Sequence, residues 1–179
     1  MKTIETARII LRSWKLNDFG DFYEYASDPS VGPSAGWKPH TDPMESLNIL
    51  ISFIEGDEVF AIEDKISGKA IGSIGLHPDR KRNHSEVRMI GYVLAKPYWG
   101  RGLASEAVKA VLDYAFNEQN LKIVSVYHFP FNLKSKRVIE KAGFSFEGIL
   151  RDASLLPSGE IVDDVCYSLT KEEYISRLV

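Results

Sequence analysis

The stretch Tyr92-Val93-Leu94-Ala95-Lys96-Pro97-Tyr98-Trp99-Gly100-Arg101-Gly102-Leu103-Ala104 constrains this chain more than any other. An apolar strand pattern runs into two glycines, and the glycines open the longest helical pattern in the sequence, Gly100 to Asn117. In that pattern Leu103, Ala107, Ala110, Val111 and Tyr114 recur on one face. The first N–H groups of a helix have no partner inside it and carry the positive end of its dipole. Glycines there let an anion approach the backbone closely, so a phosphate or pyrophosphate is the expected ligand group. Two other glycine motifs do not fit. A dinucleotide fingerprint needs a third glycine where Ser105 stands, and no Gly-Lys-Ser/Thr of a P-loop follows.

Strand–helix–strand chemistry fills only the second half of the chain. Before it, Thr3 to Leu11 reads as a strand. A helix capped by Asn17 follows and ends at Asp28-Pro29. Ser30 to Thr41 reads as a loop. A second helix begins at Asp42-Pro43-Met44-Glu45 with Asp42 as cap and ends near Ile54. Glu58 to Asp64 and Lys69 to Leu76 form a hairpin about Ile66-Ser67-Gly68-Lys69. His77 to Ser85 is a polar, basic loop, with His77 and His84 solvated. Val87 to Leu94 is a strand interrupted by Gly91. After the long helix come a strand over Lys122 to Tyr127 and a helix over Asn132 to Ala142 with Gly143 past its end. Strands over Phe144 to Leu150 and Ile161 to Leu169 bend at Pro157-Ser158-Gly159. With no repeat or linker, residues 1–179 read as one domain of α/β (α+β) class: a mixed sheet with helices on both faces.

Composition excludes more than it proposes. The 179 residues include 44% hydrophobic and 26% charged side chains, ordinary globular values. No apolar run approaches the roughly 20 residues of a membrane helix. Met1-Lys2-Thr3-Ile4-Glu5 lacks the blocks of a signal peptide, so a cytoplasmic location is expected, with no membrane partner. The single Cys166 rules out a disulfide framework, and no residues stand at metal-ligand spacing, so no metal is expected. A net charge of −3 does not suggest nucleic acid as a partner. That charge is unevenly placed. Residues 96–109 hold three cations against Glu106, and residues 132–141 hold four against Glu140. Either these are solvated helix surfaces, or positive charge is gathered around an anionic ligand.

The order of these motifs resembles a known family. Leu94-x-x-x-x-Trp99-Gly100-Arg101-Gly102-Leu103-Ala104-Ser105-Glu106-Ala107, followed by Asn132-x-x-Ser135-x-x-x-x-Glu140-Lys141-x-Gly143-Phe144, is similar to GNAT-superfamily N-acetyltransferases of the RimJ/RimL type. The similarity extends over essentially the whole chain, including Leu11-Arg12-Ser13-Trp14 and Glu147-Gly148-x-x-Arg151. It implies a GNAT fold: a mixed, mostly antiparallel sheet of six to seven strands, splayed in the middle and flanked by four helices. It also implies acetyl-CoA as cofactor, with CoA as product, and a primary amine as acceptor, either a protein N-terminus or a small amine. The superfamily's Gln/Arg-x-x-Gly-x-Gly/Ala motif falls on Trp99 to Ala104, with the tryptophan usual in the RimJ/RimL branch. The resemblance thus implies a pyrophosphate cradle of backbone amides from Trp99, Gly100, Arg101, Gly102, Leu103 and Ala104. It implies that Tyr92, Val93 and Leu94 splay from the next strand and pair with the pantetheine arm, as β-augmentation does for a peptide. Asn132 would contact that arm, Ser135 would lie near the sulfur, and Lys136 joins the cofactor contacts.

Many GNAT enzymes carry a tyrosine acid seven residues after this asparagine, where this chain has Ile139. Ser135 is then the nearest protein donor to the leaving thiolate. A backbone N–H near Leu94 is expected to hold the thioester oxygen. Glu86, ranked ahead of His40 and His128, is the candidate base, with a water relay as the alternative. Trp37 and His40, on the loop implied to lie over the acetyl end, are the candidate acceptor contacts. Trp37 reads equally as a core plug, and Asn132 and Ser135 as helix-start residues. Cys166 reads as core, so attack inside a ternary complex is expected, in a monomer or homodimer. The alternative is a CoA-binding module without turnover.

Overall fold

The computed structural model describes residues 1–177. The described residues form a mixed sheet of eight strands and six α-helices, so the expected six to seven strands and four helices are exceeded by an N-terminal hairpin, a short helix over Gly32–Ala35 and a last helix over Lys171–Ser176. Two compact units make up the chain. The first comprises Met1–Gly75 and Tyr92–Ala107, and the second comprises Leu76–Gly91 and the chain from Val108 onward.

In the first unit the expected N-terminal strand is a tight hairpin, β1 (Ile4–Glu5) and β2 (Ile9–Arg12), with Ile4 opposite Leu11. The polar Thr6-Ala7-Arg8 turn divides what the isoleucines suggest is continuous. That turn is closed by the Thr6 N–H donating to the Ile9 carbonyl at 3.0 Å and the Ile9 N–H donating to the Thr6 hydroxyl oxygen at 3.2 Å. Ile9 and Leu11 alternate inward and are fully buried. A 3-10 turn, Leu16–Asp18, leads into α1 (Phe19–Ala26). Asn17 does not cap it. Asp18 does the local work, accepting the Lys15 N–H at 2.8 Å while Arg12 binds both its carboxylate oxygens at 2.8 Å.

The loop over Ser30 to Thr41 contains a short helix, α2 (Gly32–Ala35), terminated by left-handed Gly36. The helix after it, α3 (Pro43–Gly56), starts as expected: the Asp42 side chain accepts the Met44 N–H at 2.9 Å. β3 (Val59–Asp64) and β4 (Ala70–Pro78) form the expected antiparallel hairpin, pinned by Asp64 accepting from Ser67. This unit's strands pair in the order β1-β2-β3-β4. Its core joins Trp14, Phe22, Tyr25 and Leu50, with Trp37 and Trp99 packed against it.

In the second unit, β5 (Val87–Leu94, its last three residues in the first unit) runs parallel to β6 (Ile123–His128). Gly91 does not interrupt β5; a Cβ there would make ordinary contact with the His77 ring at 3.5 Å. Among the described residues the parallel register stops at Met89–Ser125, although β5 runs on to Leu94 and β6 to His128. Pairing that ends early is what a splayed sheet requires. β6 continues against β8 (Ile161–Thr170), and β7 (Ser145–Leu155) closes the edge.

The long helical pattern resolves into α4 (Leu103–Asp113), begun in the first unit, and a π-helical turn, Tyr114–Glu118. Its apolar stripe runs through Val108 and Leu112 rather than Ala110 and Tyr114. α5 (Leu133–Lys141) ends in a Schellman motif: Gly143 donates to Glu140 and Phe144 to Ile139. A sixth helix, α6 (Lys171–Ser176), escapes the sequence patterns and is set by a Thr170–Glu173 capping box.

His77 lies within β4 and is half-buried, while the basic loop that follows is largely exposed, His84 included, with one buried anchor. Its Asp79 is buried and accepts from the Lys81 N–H at 2.6 Å and the Tyr127 hydroxyl at 2.8 Å. Burial and that carboxylate push the Tyr127 hydroxyl up to about 12. Lys81 pairs with buried Asp164 at 3.1 Å.

Candidate active site

The glycine turn takes its shape from three consecutive devices in the first unit. At the end of β5, the Ala95 N–H donates to the Ile71 carbonyl at 2.8 Å. A 3-10 turn, Lys96–Tyr98, with Pro97 near its start, reverses the chain. The Trp99 indole then donates back to the Leu94 carbonyl at 2.7 Å. Gly100 and Gly102 follow at φ 73° and 79°, the left-handed region closed to most side chains. At Gly100 a Cβ would meet nothing within 4 Å, so conformation and not crowding requires glycine.

The first bond of α4 runs from the Glu106 N–H to the Gly102 carbonyl at 3.1 Å. The amides of Leu103, Ala104 and Ser105 precede it and have no partner within the helix. Two details narrow the expected cradle. The Trp99 N–H donates to the Lys96 carbonyl at 3.1 Å, so the available amides begin at Gly100. The Leu94 carbonyl is engaged by the indole.

Sequence reading missed the residue that holds this turn. Arg8, on the β1–β2 turn, binds the Glu106 carboxylate through Nε at 2.7 Å and the Arg101 carbonyl through Nη1 at 2.8 Å. Thr6 donates to the same carboxylate at 2.6 Å. Burial pushes the Glu106 carboxyl up, but the hydrogen bonds from Thr6 and Arg8 outweigh it and hold Glu106 below the usual carboxylate range. Arg101 turns back over the Tyr98 ring, 5.3 Å from its centroid. No periodic signal marks Arg8, because its partner lies on an element joined to it only by the fold.

Trp37 and His40 also lie in the first unit. His40 is buried, its Nδ1 is 2.7 Å from the Ser46 hydroxyl, and the Trp37 ring packs against it at a tilt of 49°, 5.2 Å between centroids. Trp37 covers Gly32 so closely that a Cβ there would stand 2.7 Å from its ring. Both residues therefore build the α2 loop. A cleft of about 190 Å³ near α1 is lined by Asp21, Glu24, Asp28 and Lys96, among others. Its carboxylates already serve the fold: Asp21 accepts the Ala70 N–H at 2.9 Å, and Glu24 pairs with Lys69 at 3.2 Å.

The second unit carries the other expected residues. Asn132 caps α5, its Oδ1 accepting the Ser135 N–H at 3.0 Å. Lys136 lies 3.8 Å from Glu140, both near half exposed. Ile139 is buried and anchors the helix. Glu86 pairs with Lys122 at 2.8 Å, a surface ion pair just ahead of β5. Cys166 is buried, burial pushes its thiol up, and it donates to the Asp164 carbonyl.

Comparison with known proteins decides the family. The model of the acetyltransferase (GNAT) domain matches residues 8–145. This chain belongs to that family. The N-acetyltransferase p20 of Bacillus licheniformis is 33% identical over 180 residues, covering 97% of this chain and 99% of the relative. A GNAT-family acetyltransferase structure from Bacillus anthracis superposes with a TM-score of 0.87 at 27% identity, over 96% of this chain and 100% of that one. An Escherichia coli (strain K12) alanine N-acetyltransferase of ribosomal protein uS5 is 29% identical over 85 residues, 48% of this chain and 43% of the relative. The chain is thus an acetyltransferase with the GNAT fold, and its acetyl donor is acetyl-CoA. No helix among the described residues is long and apolar enough to cross a membrane.

Proposed function

We propose that this acetyltransferase acts on a primary amine, with a protein N-terminus as the preferred acceptor class and a small amine as the alternative, in the manner of the RimJ/RimL branch. The observation that carries the cofactor side is the paired left-handed glycines ahead of α4, which leave a run of helix-start amides without helical partners. The acceptor class is supported by the partial similarity to a ribosomal-protein alanine acetyltransferase. We read residues 1–179 as one catalytic domain working in the cytoplasm.

The cofactor supplies an activated acetyl thioester. The chain's part is to hold and to stabilise. Amides from Gly100 to Ala104 bind pyrophosphate oxygens, helped by the charge of Arg101. The Asn132 side chain and Lys136 steady the arm, and Tyr92 and Val93 offer strand-edge groups to it. A backbone N–H near Leu94 meets the carbonyl oxygen as charge gathers there. The Ser135 hydroxyl donates toward sulfur. Glu86 or a water takes the amine proton. A buried Cys166 thiol, pushed up by burial, suits attack by the amine itself rather than an acyl-enzyme.

The test is an acceptor screen that follows free-thiol release from acetyl-CoA with peptides of varied first residue, amino acids and amino sugars. Turnover on peptides with a free N-terminus supports the reading. Turnover confined to amino acids or amino sugars selects the small-amine alternative, and turnover on no amine overturns the reading.

A further inference from the structure

An antiparallel sheet with one face on the core ordinarily turns apolar side chains inward and polar ones to water. The β7–β8 hairpin does the reverse. On β8, Val162, Asp164, Cys166 and Ser168 alternate onto one face, and all four are buried. That face is held by polar contacts: Asp164 pairs with Lys81 and accepts from the Ser154 hydroxyl at 2.7 Å, and Ser168 donates to Glu147 at 2.9 Å. The other face carries Ile161 and Val165. The register sets Leu155 opposite Ile161, Ile149 opposite Val165 and Phe146 opposite Tyr167, so these residues share it. Tyr167 is buried, between the Phe146 ring at 5.5 Å and the His128 ring at 5.6 Å. Away from Tyr167 the face opens. Phe146, Ile149, Leu155 and Ile161 are each more than half exposed, from 54% at Ile149 to 71% at Leu155.

Area, edge and charge together select what covers this stripe. The four large side chains bare roughly 500 Å², the upper end of what a monomer shows and well over half of the about 800 Å² that each partner gives to a standard interface. β7 is the outer strand, but its register breaks between Phe146 and Gly148 and again between Leu150 and Ser154, and Asp152 stands at φ 50°. Bulges of this kind hinder addition of a further strand, so a partner meets the face and not the edge. The ends of the stripe differ in charge. At the Phe146 end stands exposed Lys141, and Arg177 donates to the Gly143 carbonyl, while Glu173 is occupied by Thr170 and Ser145. At the hairpin tip Asp152, Glu160 and Asp163 outnumber Arg151. A surface that is apolar along its length, cationic at one end and anionic at the other is complementary to itself turned end for end. An anionic lipid surface calls for cations throughout.

We propose that this stripe is the contact face of a homodimer, in which a second copy lays its own β7–β8 hairpin across it, antiparallel about a twofold axis near Ile149. Leu155 and Ile161 of one copy then cover Phe146 of the other, and Glu160 faces Lys141. The inference is independent of the acceptor.

Sedimentation equilibrium of the full chain over a concentration series gives the mass and the dissociation constant, and a thermal melt reports the fold. Wild type should have the mass of two chains. Ile149→Lys puts a charge at the centre of the stripe and should raise the dissociation constant about 10- to 100-fold. Ile66→Lys, on the β3–β4 turn where Ile66 is 95% exposed, should leave it unchanged. Glu160→Lys should weaken the dimer about 2- to 5-fold, and adding Lys141→Glu should restore it. If Ile149→Lys lowers the melting temperature sharply, Leu155→Lys, at the most exposed position of the stripe, takes its place. A wild-type chain that keeps the mass of one chain from micromolar to near-millimolar concentration overturns the proposal. So does a dimer that the lysine variants of the stripe leave intact, which would lie on another surface. A Glu160→Lys defect that Lys141→Glu does not relieve overturns the end-for-end packing. A monomer in which Ile149→Lys abolishes turnover on peptides, or binding to anionic lipid vesicles, would give the stripe to the acceptor or to a lipid surface and also overturns it.

Discussion

Arg8 and Glu106 stand 98 positions apart in the chain and meet through the Arg8 guanidinium and its backbone N–H, at 2.7 and 2.9 Å. The pair joins the first hairpin to the first turn of α4. Because Arg8 also binds the Arg101 carbonyl, the contact fixes the segment between the two glycines. Arg8→Met should therefore loosen the cradle more than it loosens the fold. Arg8 is half exposed, so its ion pair adds little stability in water. The expected outcome is a rise of several-fold in the acetyl-CoA KM with a melting temperature within a few degrees of wild type. A large fall in melting temperature with unchanged KM would show that the contact serves stability alone.

Glu106 makes this contact pH-dependent with a definite sign. Its carboxyl is held below the usual range in the folded chain, so the folded state binds its proton less readily than the unfolded state. Its contribution is complete above the unfolded carboxylate pKa and is lost as pH falls through the folded one. Urea titrations of wild type and Glu106→Gln should show wild type more stable at pH 7, with the gap closing in acid. A gap that stayed constant from neutral to acid pH would refute the role given to the charge.

The glycine turn predicts an ordering of variants. Gly102→Val places a β-branched residue at φ 79°, a conformation costing roughly 1–2 kcal/mol for a residue with a Cβ, and puts a side chain beside the amides. Gly100→Ala carries the conformational penalty alone, since nothing lies within 4 Å of its Cβ. Arg101→Ala keeps every amide and removes one exposed charge. CoA affinity measured by calorimetry should therefore fall most for Gly102→Val, less for Gly100→Ala and least for Arg101→Ala. If Arg101→Ala were the most damaging of the three, charge and not the helix start would be the main attraction.

Much of this was legible before any coordinates, and the limits have physical causes. Strands and helices with a strong period were found, and β5 falls on its expected bounds because its ends are marked by a polar loop and by proline. The junction at Gly100 and Gly102 was legible because left-handed backbone needs glycine. Asn132 was legible as a cap because its bond closes within three residues. What escaped depends on partners distant in sequence. Arg8 has no local signal, and the anchoring of the exposed loop at Asp79 depends on Tyr127, which lies far along the chain. The sequence offers His40 as an acceptor contact or base, and its burial depends on Ser46 and Trp37, contacts that periodicity does not reveal.

Ser135 and Asn132 can be told apart by substitution because the cap uses the Ser135 backbone and not its hydroxyl. Ser135→Ala keeps the cap. If the hydroxyl meets negative charge growing on sulfur, its loss should appear in kcat, by about 10- to 100-fold for roughly 1.5–3 kcal/mol, with little change in the acetyl-CoA KM. Asn132→Ala removes the cap and should lower stability by about 1 kcal/mol. Kinetics beside a thermal melt read both. An unchanged kcat in Ser135→Ala would move the proton to solvent.

Gly72 gives the strictest prediction, because it concerns space and not conformation. Gly72 lies on β4, and a Cβ built there would stand 2.2 Å from the Val93 carbonyl oxygen and 3.0 Å from the Leu94 Cα. Both obstacles are backbone, so no side-chain rotation relieves them. The two strands can accommodate Gly72→Ala only by moving Val93 and Leu94, the residues that present the strand edge ahead of the glycine turn. Overpacking of this kind costs typically 1–3 kcal/mol, and more when the backbone itself must shift. Gly72→Ala is expected to lower the melting temperature by several degrees and to weaken CoA binding together, because one displacement causes both. Gly56, on α3, has nothing within 4 Å of its Cβ and serves as the control, where alanine should be neutral or mildly stabilising. A Gly72→Ala chain as stable as wild type, with unaltered CoA affinity, would mean that β4 and β5 do not approach as closely as the Val93 carbonyl requires.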